Sequence, residues 1–169
     1  DDIAYNNHDL HDGLRAELFS EGEIAELPLV GEAYREVDRL YPSTDSYRRR
    51  HEALRRVFGV MVADVIDTSR LLLGQSNATS AAELRHLGRP VIRFSDQMWH
   101  DIRAIRTFLF KRMYRAPSVM EKRAEVTRIV EDLFPLFLEN PGMLPRHWAN
   151  QIAEAGQDRT SLARMVCDY

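Results

Sequence analysis

The chain has 169 residues, 44% hydrophobic and 29% charged, with a formal net charge of -3 from 23 basic and 26 acidic side chains and a single cysteine. That length allows one domain or two small helical lobes, and the composition excludes a disordered tail or a fibrous protein. The lone Cys167 excludes an internal disulfide or a cysteine-based zinc site, and the acidic balance argues against nucleic-acid binding driven by counterion release. No apolar run approaches the ~20 residues of a membrane span, and Asp1-Asp2 is the reverse of a basic signal-peptide start, so a cytoplasmic protein with no membrane partner is expected.

In chain order the periodicity is helical nearly throughout, which predicts an all-α fold. Residues 1–12, DDIAYNNHDLHD, carry seven ionisable side chains. In a helix Asp1, Tyr5 and Asp9 fall at i, i+4 and i+8 and drift only about 80° around the axis, so they share one face with His8 beside it. Such a face can offer a carboxylate to a metal, a phenol to a ring and a second carboxylate to hydroxyl groups; it also fits a solvated acidic helix end. The pairs His8-Asp9 and His11-Asp12 are not metal doublets, because adjacent helical residues point about 100° apart.

The longest helix is expected from Thr44 to about Gly74, with Leu54, Val57, Phe58, Met61, Val65 and Leu72 at helical spacing. Arg48 with Arg55, and Arg49 with Arg56, form outer stripes, whereas Arg50 falls on the apolar face. An inward arginine needs an anion, either a carboxylate such as Asp64 or one on a neighbouring helix, or a bound phosphate. The Ser-, Asn-, Thr- and Gly-rich stretch that follows, with a short helical turn at 81–87, makes 75–94 a linker between segments 1–74 and 95–169.

Ser95 or Asp96 caps a helix striped by Met98, Ile102, Ile105, Leu109 and Met113, and Ala116-Pro117 separates it from one striped by Val119, Val126, Val130, Leu133 and Phe137. The pair predicts an antiparallel hairpin, with Pro135 as a kink and Asn140-Pro141-Gly142 as a stop. Pro145 to Asp158 reads as a polar helix or two short ones, and Arg159 to Tyr169 as another helical pattern. Trp99, Phe108, Phe110, Phe134 and Phe137 are expected at core or helix interfaces, and Cys167 as a small buried apolar residue. Both ends fall within helical patterns, so a piece of a larger chain is expected.

The stretch DDIAYNNHDLHDGLRAELF resembles the segment of deoxyguanosine triphosphate triphosphohydrolases, within the HD phosphohydrolase superfamily, that carries the last metal ligand of the HD motif. FSDQMWHDIRAIRTFLFKRMYRAPSVMEKRAEVTRIVEDLFPLFLENPGMLP resembles the phosphohydrolase-associated helical domain that follows the HD core, and ARMVCDY the start of that domain's close. The resemblance implies a helical bundle in which 1–74 is the back part of the HD core and 95–169 the associated domain, truncated at its end. It assigns Asp1 to a divalent metal, Mg2+ or Mn2+; Tyr5 to the face of the deoxyribose; Asp9 to the sugar 3'-hydroxyl; and Arg50, with Arg55 and Arg56 as alternates, to the substrate phosphates.

The implied activity is hydrolysis of a deoxynucleoside triphosphate to deoxynucleoside and tripolyphosphate, with metal-activated water attacking the α-phosphorus. Only one of the expected metal ligands, Asp1, is present, so no complete catalytic set lies within the chain and it is expected to be inactive by itself. The implied partners are the dNTP substrate, further copies in a homo-oligomer, and single-stranded DNA or a dNTP as effector. The alternative is a non-catalytic helical module for oligomerisation or nucleotide or DNA sensing, with Arg48, Arg49, Arg50, Arg55 and Arg56 as its basic face. His11 stands where bacterial relatives usually have Asp, and Glu17 where they often have Gly; these departures bear on substrate preference.

Overall fold

A computed structural model describes residues 1–155 and 158–169. It is 78% helical, and the described residues contain no strand, as expected for an all-α chain. They form two compact units, Asp1–Ala116 and Pro117–Tyr169.

The first unit contains α1 (Asp2–Arg15), α2 (Glu21–Ile24), α3 (Val30–Leu40), α4 (Ser46–Ser76), α5 (Ala81–His86) and α6 (Asp96–Leu109), the last followed by a π turn at Phe110–Tyr114. Helix α4 is the spine, with α1 and α3 packed on it and α6 packed on α1. Leu10 of α1, Val30, Tyr34 and Val37 of α3, Val57 and Met61 of α4, and Ile102, Ile105 and Leu109 of α6 close one continuous core. Full burial of such side chains contributes about 1.5–3 kcal/mol each, which is why this unit is defined by its inward stripes.

Local chemistry sets the helix ends. The Asp45 carboxylate accepts from the Arg48 amide at 3.0 Å to start α4, and Asn77, with φ of 52°, ends it; Gly74 lies inside the helix and does not stop it. Ser20 and Glu23 form a reciprocal capping box on α2. At the start of α6 the Ser95 hydroxyl accepts from the Met98 amide, while Asp64 of α4 accepts from the Ser95 amide at 2.9 Å and from its hydroxyl at 2.6 Å. Asp64 thus fixes α6 to α4 and is not the partner of Arg50.

Helix α1 ends in a Schellman motif: the Leu18 amide donates to the Gly13 carbonyl and the Glu17 amide to the Leu14 carbonyl. Glu17 adopts φ of 55°, the left-handed conformation that glycine takes without cost. The Glu17 position therefore also serves helix termination, while its residue lines a cleft with Arg50. Gly13 has a separate reason, since a Cβ there would lie 2.2 Å from the Phe19 ring.

The second unit contains α7 (Pro117–Glu139), a 3-10 turn at Pro141–Met143, α8 (Arg146–Ala155) and α9 (Arg159–Asp168). The polar stretch expected over Pro145 to Asp158 is one described helix, α8; Gly156 and Gln157 lie outside the described residues. Leu144, Ile152 and Val166 are buried, with Phe134, Phe137 and Trp148 packed against them. Of the α7 stripe only Phe137 joins this core: Val126, Val130 and Leu133 are exposed, Val130 by 59%. Phe110 and Cys167 are also exposed, contrary to expectation. Phe110 opens the π turn, and Cys167 lies in the last turn of α9, on a side that the small second core does not cover.

Candidate functional site

Helix α1 turns one side to the core through Leu10 and Leu14 and leaves Tyr5 66% exposed. Asp1 is the backbone cap of α1, its carbonyl accepting from the Tyr5 amide at 2.9 Å, and its side chain makes no capping bond. It borders a cleft with Asp2, Ile3, Phe58, Val65 and Phe94. One turn on, Asn6 is buried with its amide donating to the Asp2 carbonyl, and Asn7 donates to the Ile3 carbonyl at 2.8 Å while its Oδ1 is buried without a hydrogen-bond partner. Both asparagine side chains fold back onto the preceding turn of α1.

Asp9 accepts a hydrogen bond at Oδ2 from the hydroxyl of Tyr114, 105 residues away in sequence. The same segment reaches α1 and α2 twice more, through Arg106 to Asp2 and through Arg112 to Glu23 at 2.5 Å. Glu23 is held below the ordinary carboxylate range first by the Ser20 amide, with Arg112 adding to it. Tyr114 has no local sequence pattern that announces this role. It is brought to Asp9 by the packing of α6 on α1 and by the π turn, which departs from the α-helical rotation.

A second cluster lies further along α1. The His11 ring packs 5.1 Å from that of His51 on α4, and His51 lies 4.3 Å from Tyr47, one turn earlier on the same helix. Burial lowers the His11 pKa below its usual 6.5, and the charges of His51, Arg15 and Arg50 act in the same direction against Asp12. The i, i+4 spacing of Tyr47 and His51 is the sequence signal for half of this cluster; the approach of His11 has none.

The arginines of α4 separate. Arg50 is 22% exposed, its Nε is 3.9 Å from Glu21 and has no hydrogen-bond partner although buried, and it lines a cleft of about 430 Å3 with Glu21, Glu23 and Arg112. Arg55 and Arg56 line a different cleft, against Glu32 and Glu36 of α3. Arg55 is paired with Glu52 at 2.8 Å. Arg49, expected on an outer stripe, turns inward: it forms a two-pronged bond to Asp38 at 2.6 and 2.8 Å, reaches Glu21 at 3.1 Å and stacks over Tyr34. The structure therefore brings Tyr5 and Asp9 together on one face, puts Asp1 at the head of that helix, and does not gather Arg50, Arg55 and Arg56 into one site.

Residues 92–169 match the family model of the phosphohydrolase-associated domain. Over its whole length the chain is 58% identical to the deoxyguanosinetriphosphate triphosphohydrolase-like protein of Jannaschia sp. (strain CCS1) and 55% identical to that of Roseobacter denitrificans, covering 43% of each. Its whole length is thus similar to deoxyguanosinetriphosphate triphosphohydrolase-like proteins. A more distant relative of the same name, from Rhizobium meliloti, is 41% identical and covered over 42% of its length. The chain spans less than half the length of the relatives it matches. The phosphohydrolase-associated match starts before α6 and takes in Tyr114, so the boundary between the two compact units at Ala116 and Pro117 falls inside it.

Among the described residues no group of three or more His, Cys, Asp or Glu side chains is placed to hold a metal ion. Asp1 and Asp2 offer neighbouring carboxylates without a histidine beside them, so these residues do not fit a complete divalent-metal site. No helix described is long and apolar enough to cross a membrane.

Proposed function

We propose that this chain supplies the sugar-reading face of a deoxynucleoside triphosphate triphosphohydrolase, an enzyme that breaks the bond between the α-phosphorus and the 5'-oxygen with water and releases deoxynucleoside and tripolyphosphate. The observation that carries the reading is the Tyr5 and Asp9 face of α1: an exposed phenol and, one turn on, a carboxylate held by Tyr114. Tyr5 lies against the deoxyribose and leaves no room for a 2'-hydroxyl; Asp9 accepts from the 3'-hydroxyl. The buried, unpartnered Nε of Arg50 supports a role on the triphosphate, where a guanidinium forms charge-assisted bonds. Arg55, held by Glu52, is the weaker candidate; Arg56 also has a buried Nε without a partner but lines the separate cleft against α3. Asp1 gives one carboxylate to a divalent cation, Mg2+ or Mn2+, whose remaining ligands come from the rest of the protein.

The alternative, a helical module with a basic nucleic-acid face, finds less support. Arg48, Arg49 and Arg55 each lie within ion-pair distance of a carboxylate, so much of that face is neutralised. The test is made on the full-length natural protein with each dNTP and Mn2+ or Mg2+. Release of tripolyphosphate is expected, abolished by Asp1→Ala with helix content unchanged. Arg50→Ala is expected to lower kcat/KM by about one to two orders of magnitude, the loss of a bond worth about 1.5–3 kcal/mol, and Arg48→Ala far less. Absence of hydrolysis together with tight single-stranded DNA binding would replace this reading with the module.

A further inference from the structure

We propose that Tyr114 is a positioning residue for Asp9: its hydroxyl occupies one carboxylate oxygen and so presents the other to the 3'-hydroxyl of a deoxynucleotide lying over Tyr5. The inference rests on the reading of Tyr5 and Asp9 given above. Tyr114 closes the π turn after α6, and its hydroxyl donates to Asp9 Oδ2, leaving Oδ1 to other donors. A carboxylate on a helix surface rotates among several rotamers; one tied by a phenol is fixed about both its torsions, and its second oxygen points in one direction.

The tie is itself anchored, because Arg106 to Asp2 and Arg112 to Glu23 fasten the same segment on either side of Asp9 along the chain. Burial and the hydrogen bond to Asp9 push the Tyr114 phenol up to about 12, so it stays protonated and remains a donor at neutral pH. Tyr5 lies one helical turn before Asp9 on the same side of α1. Tyr114 is 43% exposed, so loss of its hydroxyl leaves no buried group stranded.

The experiment compares the full-length protein with Tyr114→Phe, Asp9→Asn and the double variant, on dGTP and on 2',3'-dideoxy-GTP, which lacks the 3'-hydroxyl. Tyr114→Phe is expected to lower kcat/KM on dGTP about tenfold, to leave the dideoxy substrate unchanged, and to add nothing in the Asp9→Asn background. Tyr114→His, which restores a ring donor, is expected to recover part of the dGTP preference and keeps the test open if the Phe variant does not fold. Equal losses on both substrates would make Tyr114 merely structural and overturn the proposal. Unchanged kinetics on dGTP would overturn it too, while the wild-type hydrolysis left the broader reading standing. A wild-type protein that hydrolyses no dNTP would overturn the broader reading and this proposal with it.

Discussion

The two units use the same helical periodicity to different ends. In the first, the stripes of α1, α3, α4 and α6 converge, and Leu10, Val37, Met61, Ile102 and Ile105 are fully enclosed. In the second, three buried residues among those described, with a few partly buried aromatics, make the core, and α7 keeps Val126, Ile129 and Val130 exposed along a helix with no buried residue. A 3.6-residue stripe is necessary for a helix to be buried but does not say that it is; burial requires a second surface at the right place.

The comparison can be measured because Trp99 lies in the first unit and Trp148 in the second, so single-tryptophan versions made by Trp148→Phe and Trp99→Phe report each separately. The largest expected contrast is between Ile105→Asp and Val130→Asp. The first buries an unpaired charge, costs several kcal/mol, and should abolish the Trp99 transition in urea; the second should move the Trp148 transition by no more than about 0.5 kcal/mol. Equal damage from the two would mean that α7 is covered as thoroughly as α6.

Next in size, Gly13→Ala should lower the stability read by Trp99 by about 1–3 kcal/mol, because the added methyl meets the Phe19 ring, itself packed edge-on to Phe108 at 5.0 Å, and should leave Trp148 unaffected. A smaller change of opposite sign is expected for Glu17→Gly, which relieves the positive φ after α1 and should raise the Trp99 midpoint by about 1 kcal/mol. A destabilised Glu17→Gly protein would show that the glutamate side chain gives more than its backbone costs.

The smallest effect is on pH. His11 has its pKa lowered in the folded chain, so on acidification below about 6.5 the unfolded chain takes up the proton first. Its contribution is fully present above that pH and is lost as pH falls through the lower folded value. The Trp99 midpoint should therefore drop between pH 7.5 and 5.5 in the wild type and drop less in His11→Asn. Identical pH profiles for the two would remove His11 from the account.

Much of this was legible before any coordinates. The helical character, the Ser95 cap and the stripe of α6 each depend on residues within a turn or two of one another. Helix α3 is harder to read: it starts at Leu29, an apolar residue with φ of 65° and no capping side chain, and no glycine ends it. Arg49 and Arg50 occupy neighbouring positions, and the pattern favoured Arg50 as the inward one. Asp38 and Glu21 on other elements draw in Arg49 as firmly, and their positions cannot be inferred from the spacing on α4.

The sequence by itself determined which segments are helices, which of their sides are apolar, and that Tyr5 and Asp9 share a helix face, because those properties follow from near neighbours and a fixed rotation per residue. Only the tertiary structure decided that α6 belongs with α1, that α7 leaves most of its stripe uncovered, that the arginines of α4 part into separate clefts, and that Tyr114 reaches Asp9. Those outcomes depend on contacts between residues tens of positions apart, and such contacts are selected by packing of the whole core, not by any local run of the chain.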